Sequence, residues 1–192
     1  MKLLGAASFA LLALGSSSVH AQRSKSSGFF IGLGVEGSGI KPDDAGTVEE
    51  NGSGAGLTLG YGFSPRWSMY SEFSGANINA DGGGTYQLGH VDLGARVHFR
   101  TGPNMLVPFL QFGITGRGIA QTVNGVDATG VGGGFTLGGG FNAHFSPKVA
   151  LSTAVSWTAG RFDSFTADGQ SVAGTAFNAT SGRVHLGLIW FP

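Results

Sequence analysis

The sequence predicts an all-β fold, an eight-stranded antiparallel up-and-down transmembrane β-barrel. Three observations predict it. Apolar residues recur with period two in eight separate segments, the connections between them alternate short and long, and glycine crowds the non-apolar face of each segment. Side chains on a strand alternate between its faces, so a period of two gives each segment one apolar and one polar or bare side.

Composition sets the bounds. The chain has 192 residues, enough for one domain. Cysteine is absent, which excludes disulfides and thiolate metal sites. Charged residues make up 11%, against about 25% in soluble domains. Mean hydropathy is barely positive, too low for a bundle of membrane helices. Glycine numbers 36. Each glycine in a helix costs roughly 1 kcal/mol relative to alanine, so helices are disfavoured. The zero net charge leaves no basic face for nucleic acid.

Residues 1–21 read as a secretory leader. Lys2 supplies the positive start, Leu3 to Leu14 the apolar run, and Val19 and Ala21 the small residues before a cut near Ala21. The run is too short to span a bilayer, which takes about 20 residues. Residues 22–27 form a short tail and 28–192 the barrel domain. Without the leader the net charge is about −1.

The strands follow in order. Phe29, Ile31, Leu33 and Val35 alternate with Phe30, Gly32, Gly34 and Glu36. Leu57, Leu59, Tyr61 and Phe63 alternate with glycines and Thr58. Trp67 to Gly75 is the least regular, with Met69 and Phe73 opposing Tyr70, Glu72 and Ser74. Gln87 to Phe99 is the clearest: Val91, Leu93, Ala95, Val97 and Phe99 against His90, Asp92, Gly94, Arg96 and His98. Leu110, Phe112 and Ile114 follow, then Phe135, Leu137, Phe141 and Phe145, then Leu151, Val155 and Trp157. Val184, Leu186, Leu188 and Trp190 close the series. Short turns fall at Ser64-Pro65-Arg66, Arg100 to Asn104 and Ser146-Pro147-Lys148, and longer connections near 38–53, 78–84, 118–131 and 163–179. This is the plan of a barrel with both termini on the short-turn side.

Orientation decides between a membrane barrel and a soluble one. An eight-stranded barrel has an interior just wide enough for side chains. The glycine-rich face suits that interior, and the bulkier apolar face then meets lipid. Closure also satisfies every backbone hydrogen bond, which lipid cannot. Phe29, Phe63, Trp67, Phe99, Phe145 and Trp190 all fall at strand ends beside termini or short turns, as in an aromatic girdle.

The chain resembles the small outer-membrane barrels grouped with the OmpA transmembrane domain, OmpX and the opacity proteins. Phe29 to Glu36, Tyr86 to Phe99 and Arg183 to Pro192 carry the resemblance. The last segment is similar to the final strand read by the barrel-assembly machinery, departing from it in ending on Pro192 after Phe191. The resemblance implies an outer-membrane location. It also implies outer-membrane lipid, lipopolysaccharide and the assembly machinery as partners, with a possible surface ligand at the four long connections.

Charged and histidine residues on the inward face are Glu36, Glu72, His90, Asp92, Arg96, Arg117, Arg183 and His185, with His98 and His144. Counting residues up from the short-turn end pairs Glu72 with Arg96 and Glu36 with Arg183, a structural network that neutralises the interior, since unpaired buried charge is unfavourable. His90 and Asp92 share a face, but zinc wants three or four ligands. No metal, cofactor or catalytic residue is expected. Gly32-Leu33-Gly34-Val35-Glu36-Gly37 matches G-x-G-x-x-G, yet no helix follows, so nucleotide binding is rejected. Asp43-Asp44 and Glu49-Glu50 make the first long connection acidic, to bind cations or stay solvated, and Phe162, Phe165 and Phe177 punctuate the last, to contact a partner or pack over the barrel mouth. The expected role is structural, adhesive or surface-interacting. The alternatives are a narrow pore, a lipid-modifying barrel enzyme, which would need His and Ser on the lipid side, and an exported lipocalin-like binder, which would need an apolar interior.

Overall fold

The computed structural model describes residues 27–43, 47–99, 105–123, 125–172 and 176–192. The expected leader, the tail up to residue 26 and the turn at Arg100–Asn104 lie outside them. Eight long strands build the barrel: β1 (Gly28–Pro42), β2 (Glu50–Gly62), β3 (Trp67–Asn79), β4 (Thr85–His98), β5 (Leu106–Val123), β6 (Val126–Ser146), β7 (Val149–Ala167) and β9 (Phe177–Trp190). A three-residue strand, β8 (Gln170–Val172), folds back on the end of β7. Every long strand pairs antiparallel with its neighbours in sequence, and β9 closes on β1 from Ile31↔Trp190 to Pro42↔Ala179.

Following paired residues around the wall gives the stagger. From Ile31 the ladder runs through Leu59, Ser71, Leu93, Ile114, Phe135, Ala159 and Thr180 and returns to β1 at Lys41, ten residues higher. With strands about 4.8 Å apart and about 3.3 Å of rise per residue, that stagger tilts the strands by about 40°. The wall then lies only about 8 Å from the axis, so side chains must fill the interior.

The alternation sorts onto the faces in the direction that decides the architecture. Leu93 is 53% exposed on the outside while its neighbour Asp92 is 1% exposed inside. Val91 and Phe99 also face out, and Arg96 faces in. The apolar interior that a lipocalin-like binder requires is therefore missing from the middle of this barrel. Crowding inside is relieved by glycines beneath large rings. A Cβ on Gly94 would lie 2.9 Å from the Tyr70 ring, and one on Gly60 would overlap Phe30.

The strands run further than the alternation of the sequence indicates. Ser38 to Ile40 pair with Gly52 to Glu50, and Gly118 to Val123 pair with Val131 to Val126. The expected connections at 38–53 and 118–131 are thus mostly ladder. Above the apolar band neither face has to be greasy, so the alternation fades while the hydrogen bonds continue. In 163–179, β7 carries on to Ala167 past a bulge at Asp163, which is skipped between the Gly132↔Phe162 and Val131↔Ser164 pairs.

Candidate functional site

The lumen is stacked in three layers. At the end where β1 begins and β9 finishes, Phe30, Tyr70, Ala150, Ile189 and Phe191 form an apolar cluster, with Phe30 and Phe191 ring centroids 5.7 Å apart. His144 lies against Phe191 at 5.4 Å, and His98 Nε2 is 3.1 Å from Ser68 Oγ. At the opposite end Ile40, Ala76, Ile78, Leu88, Phe162 and Ala179 form a second apolar cluster, flanked by Tyr86, Ile119, Phe165 and Phe177. Phe162 and Phe177 stack at 5.2 Å, and Phe165 and Phe177 at 5.7 Å. The phenylalanines of the last connection therefore close the mouth from inside it.

Between these layers lie the charges: Glu36, Glu72 and Asp92 against Arg96, Arg117 and Arg183, all buried. Arg96 Nη2 donates to Glu72 Oε2 at 3.4 Å and its Nε to Gln111 Oε1 at 2.9 Å. The Arg96 guanidinium sits 4.5 Å from the Tyr70 ring centre and 4.9 Å from that of Phe109. Arg183 Nη2 lies 2.7 Å from Asp92 Oδ2, and its Nη1 donates to Glu72 Oε1 at 3.4 Å and to Ser74 Oγ at 3.3 Å. Asp92 Oδ1 accepts from Thr136 Oγ1 at 2.7 Å, and Thr158 in turn lies 2.8 Å from Thr136. His90 Nε2 lies 3.0 Å from Ser181 Oγ.

Glu72 is thus the hub between two arginines, and Arg183 is paired differently from the expectation. It bridges Asp92 and Glu72, while Glu36 forms no ion pair among the described residues. The reason is stagger: β9 meets β1 with His185 opposite Glu36 and Arg183 opposite Ser38, two residues higher than counting from the strand ends implies. His185 fills the space beside Glu36, its ring lying over Gly34 and Gly187. Arg117 stands higher, 4.7 Å from the Phe162 ring centre, with no hydrogen-bond partner for its guanidinium among the described residues. Tyr70, Gln111, Thr136 and Thr158 were not singled out from sequence because they carry no formal charge. Their inward parity on strands was the available signal.

No group of three or more His, Asp or Glu among the described residues is placed to hold a metal ion. Outside, Phe29, Phe63, Trp67, Phe99, Phe145 and Trp190 are all exposed. Allowing for a stagger of about 1.25 residues per strand, they fall within about three residues of one level. Above them the apolar wall continues for about nine residues, or about 23 Å at this tilt, close to the apolar band of a membrane barrel.

Fold and wall define a transmembrane β-barrel. A family model described as the outer membrane protein beta-barrel domain matches residues 8–184, and the chain belongs to that family, whose place is the outer membrane. Solved structures agree in fold. Neisserial surface protein A superposes with a TM-score of 0.68 at 14% identity, over 85% of this chain and 97% of that one. OprG from Pseudomonas aeruginosa gives 0.59 at 13% identity, over 88% and 97%. Ail, the attachment invasion locus protein of Yersinia pestis, gives 0.57 at 14% identity, over 85% and 98%. Ail has also been solved in complex with the heparin analogue sucrose octasulfate. No curated protein matches this sequence.

Proposed function

We propose that this protein is a non-conducting, non-catalytic outer-membrane barrel that works through its extracellular end, exported by a leader cut near Ala21. The observation that supports this reading is the sealed lumen. Two apolar clusters cap a middle layer whose three carboxylates match three guanidiniums in number, so an ion would have to pass two apolar caps to reach a layer of no net charge. In this reading the network is a structural filler, and the rim aromatics anchor the barrel at the periplasmic interface. Histidines face inward rather than towards lipid, which disfavours an enzyme acting on acyl chains.

The end away from the termini is then the working surface. It carries Asp43, Glu49, Glu50, Asp81, Asp127, Asp163 and Asp168 against Lys41 and Arg161. The acidic residues at the tip disfavour a densely sulfated soluble ligand of the kind seen with Ail, while Arg161 on the wall leaves a cationic contact for a lipid headgroup. Insertion into planar bilayers tests the reading. Silent insertion is the expected result, and stepwise conductance would refute it in favour of a pore. Heparin-coated beads should not retain cells displaying the protein.

A further inference from the structure

Two features of the outer wall coincide on one face. Just above the apolar band, outward positions become small: Gly37, Ala55, Gly75, Gly89, Gly116 and Gly182. Packing does not require this, since a Cβ on Gly37, Gly75, Gly116 or Gly182 would meet nothing within 4 Å. Across β3 to β6 the missing side chains open a hollow of about 640 Å³, walled by Phe73, Val91 and Val131 and floored by Gly89, Gly116 and Gly118.

Directly above it β4 and β5 part. Their ladder ends at Gln87↔Ala120, although β4 begins at Thr85 and β5 runs on to Val123. The gap and the wall beside it form a cleft of about 490 Å³, lined by Asn77, Tyr86, Gln87, Gln121, Thr122 and Asp127 among others. Asp127 is oriented by Thr122, whose Oγ1 donates to it at 2.6 Å. Hollow and cleft are one strand period apart, Gly89 below Gln87 on β4 and Gly118 below Ala120 on β5.

We propose that this face binds one glycolipid of the surrounding outer leaflet, with an acyl chain in the hollow and the saccharide head in the cleft. The assignment rests on the reading that this end of the barrel faces outward. A mostly apolar hollow at the upper edge of the apolar band, walled by Phe73, Val91 and Val131, suits the head-proximal part of an acyl chain. Amides, hydroxyls and one tyrosine ring immediately above, with no Lys or Arg in the cleft lining, match sugar hydroxyls better than a bare phosphate. Arg161, exposed and paired across the ladder with Gly133, stands on the next strand within the same collar and is available to a phosphate on such a head. A phospholipid would fill the hollow and leave the cleft empty, and a free sugar would do the reverse.

Native mass spectrometry of the full barrel in a sugar-free detergent separates these cases. The probes are rough lipopolysaccharide, phosphatidylglycerol and free core oligosaccharide. Rough lipopolysaccharide should be retained as a single molecule, about tenfold more strongly than either other probe. Gly116→Leu, which fills the hollow, and Gln87→Leu, which removes an amide from the cleft, should each reduce retention about fivefold while both variants keep heat-modifiable gel mobility. Equal retention of phosphatidylglycerol, equal binding of the free oligosaccharide, or retention unchanged in both variants would each overturn the proposal. None of these outcomes alters the planar-bilayer result, so the sealed-lumen reading stands or falls separately.

Discussion

Gly60 and Gly116 belong to strands of one barrel, yet one faces the lumen and the other the outside, and their surroundings are opposite. A Cβ on Gly60 would run into the Phe30 ring and the Met69 carbonyl, whereas one on Gly116 would touch nothing within 4 Å. Curvature is the cause. Inward Cβ vectors converge on the axis of a narrow barrel and outward ones diverge. A glycine inside is therefore a packing requirement set by a neighbouring backbone or ring, while a glycine outside is not required by packing within the chain.

The largest effect should come from breaking the inner rule. Gly60→Leu or Gly94→Leu places a branched side chain into a ring and a backbone carbonyl of the adjacent strand. Neither variant should yield the compact, heat-modifiable band on gels, whereas Gly116→Leu should yield it fully. A folded Gly60→Leu barrel would show that the lumen has slack it is not expected to have.

Next in size is the removal of Arg183. It holds Asp92 at 2.7 Å and Glu72 at 3.4 Å at the centre of the barrel, so Arg183→Ala strands the buried Asp92 and leaves Glu72 with Arg96 alone. Breaking a buried pair from one side costs about 3–5 kcal/mol, and urea unfolding in lipid vesicles should show a loss in that range. A loss below about 1 kcal/mol would mean that water already solvates the layer. Arg96→Ala should come out smaller, because Arg183 still partners Glu72. Adding Glu72→Ala should restore part of the loss, with a coupling of about 1–3 kcal/mol in the double-mutant cycle. Independent, additive effects would dissolve the hub at Glu72.

These same residues mark where the sequence was readable. Gln87 to Phe99 declared its two faces outright, because in the apolar band each side of a strand meets one environment and the alternation is undiluted. The Glu72–Arg96 proximity followed from height on adjacent strands, where a ladder error moves both partners little. Arg183 with Asp92 did not follow. The partners sit on β9 and β4, and their levels depend on a ten-residue stagger accumulated around the ring, which no single segment encodes. The apolar caps were missed for another reason. Ile40, Ile78 and Leu88 point inward, against the rule that the polar row lines the lumen, because that rule holds only at mid-height. The cleft beside Gln87 was invisible too, since it arises from two strands parting rather than from any residue pattern.

The smallest effect belongs to the ring of aromatics near the termini, and it sharpens the contrast with the glycine collar at the other end. Trp67, 41% exposed on the outer wall, lies level with Phe29, Phe99 and Trp190, so its removal leaves the rest of the ring in place. Trp67→Ala should therefore lower stability in vesicles by only about 1–2 kcal/mol, from the ring area withdrawn from the interface. The loss should shrink further in detergent micelles, which adapt to a gap where a bilayer cannot. Gly75→Trp offers the mirror test at the collar. A Cβ there meets nothing within 4 Å, so if both ends served only to anchor the barrel an outward aromatic would add stability comparable to the loss at Trp67. If the collar is instead kept clear for a bound lipid, the same substitution leaves unfolding in simple phospholipid vesicles little changed and weakens retention of rough lipopolysaccharide.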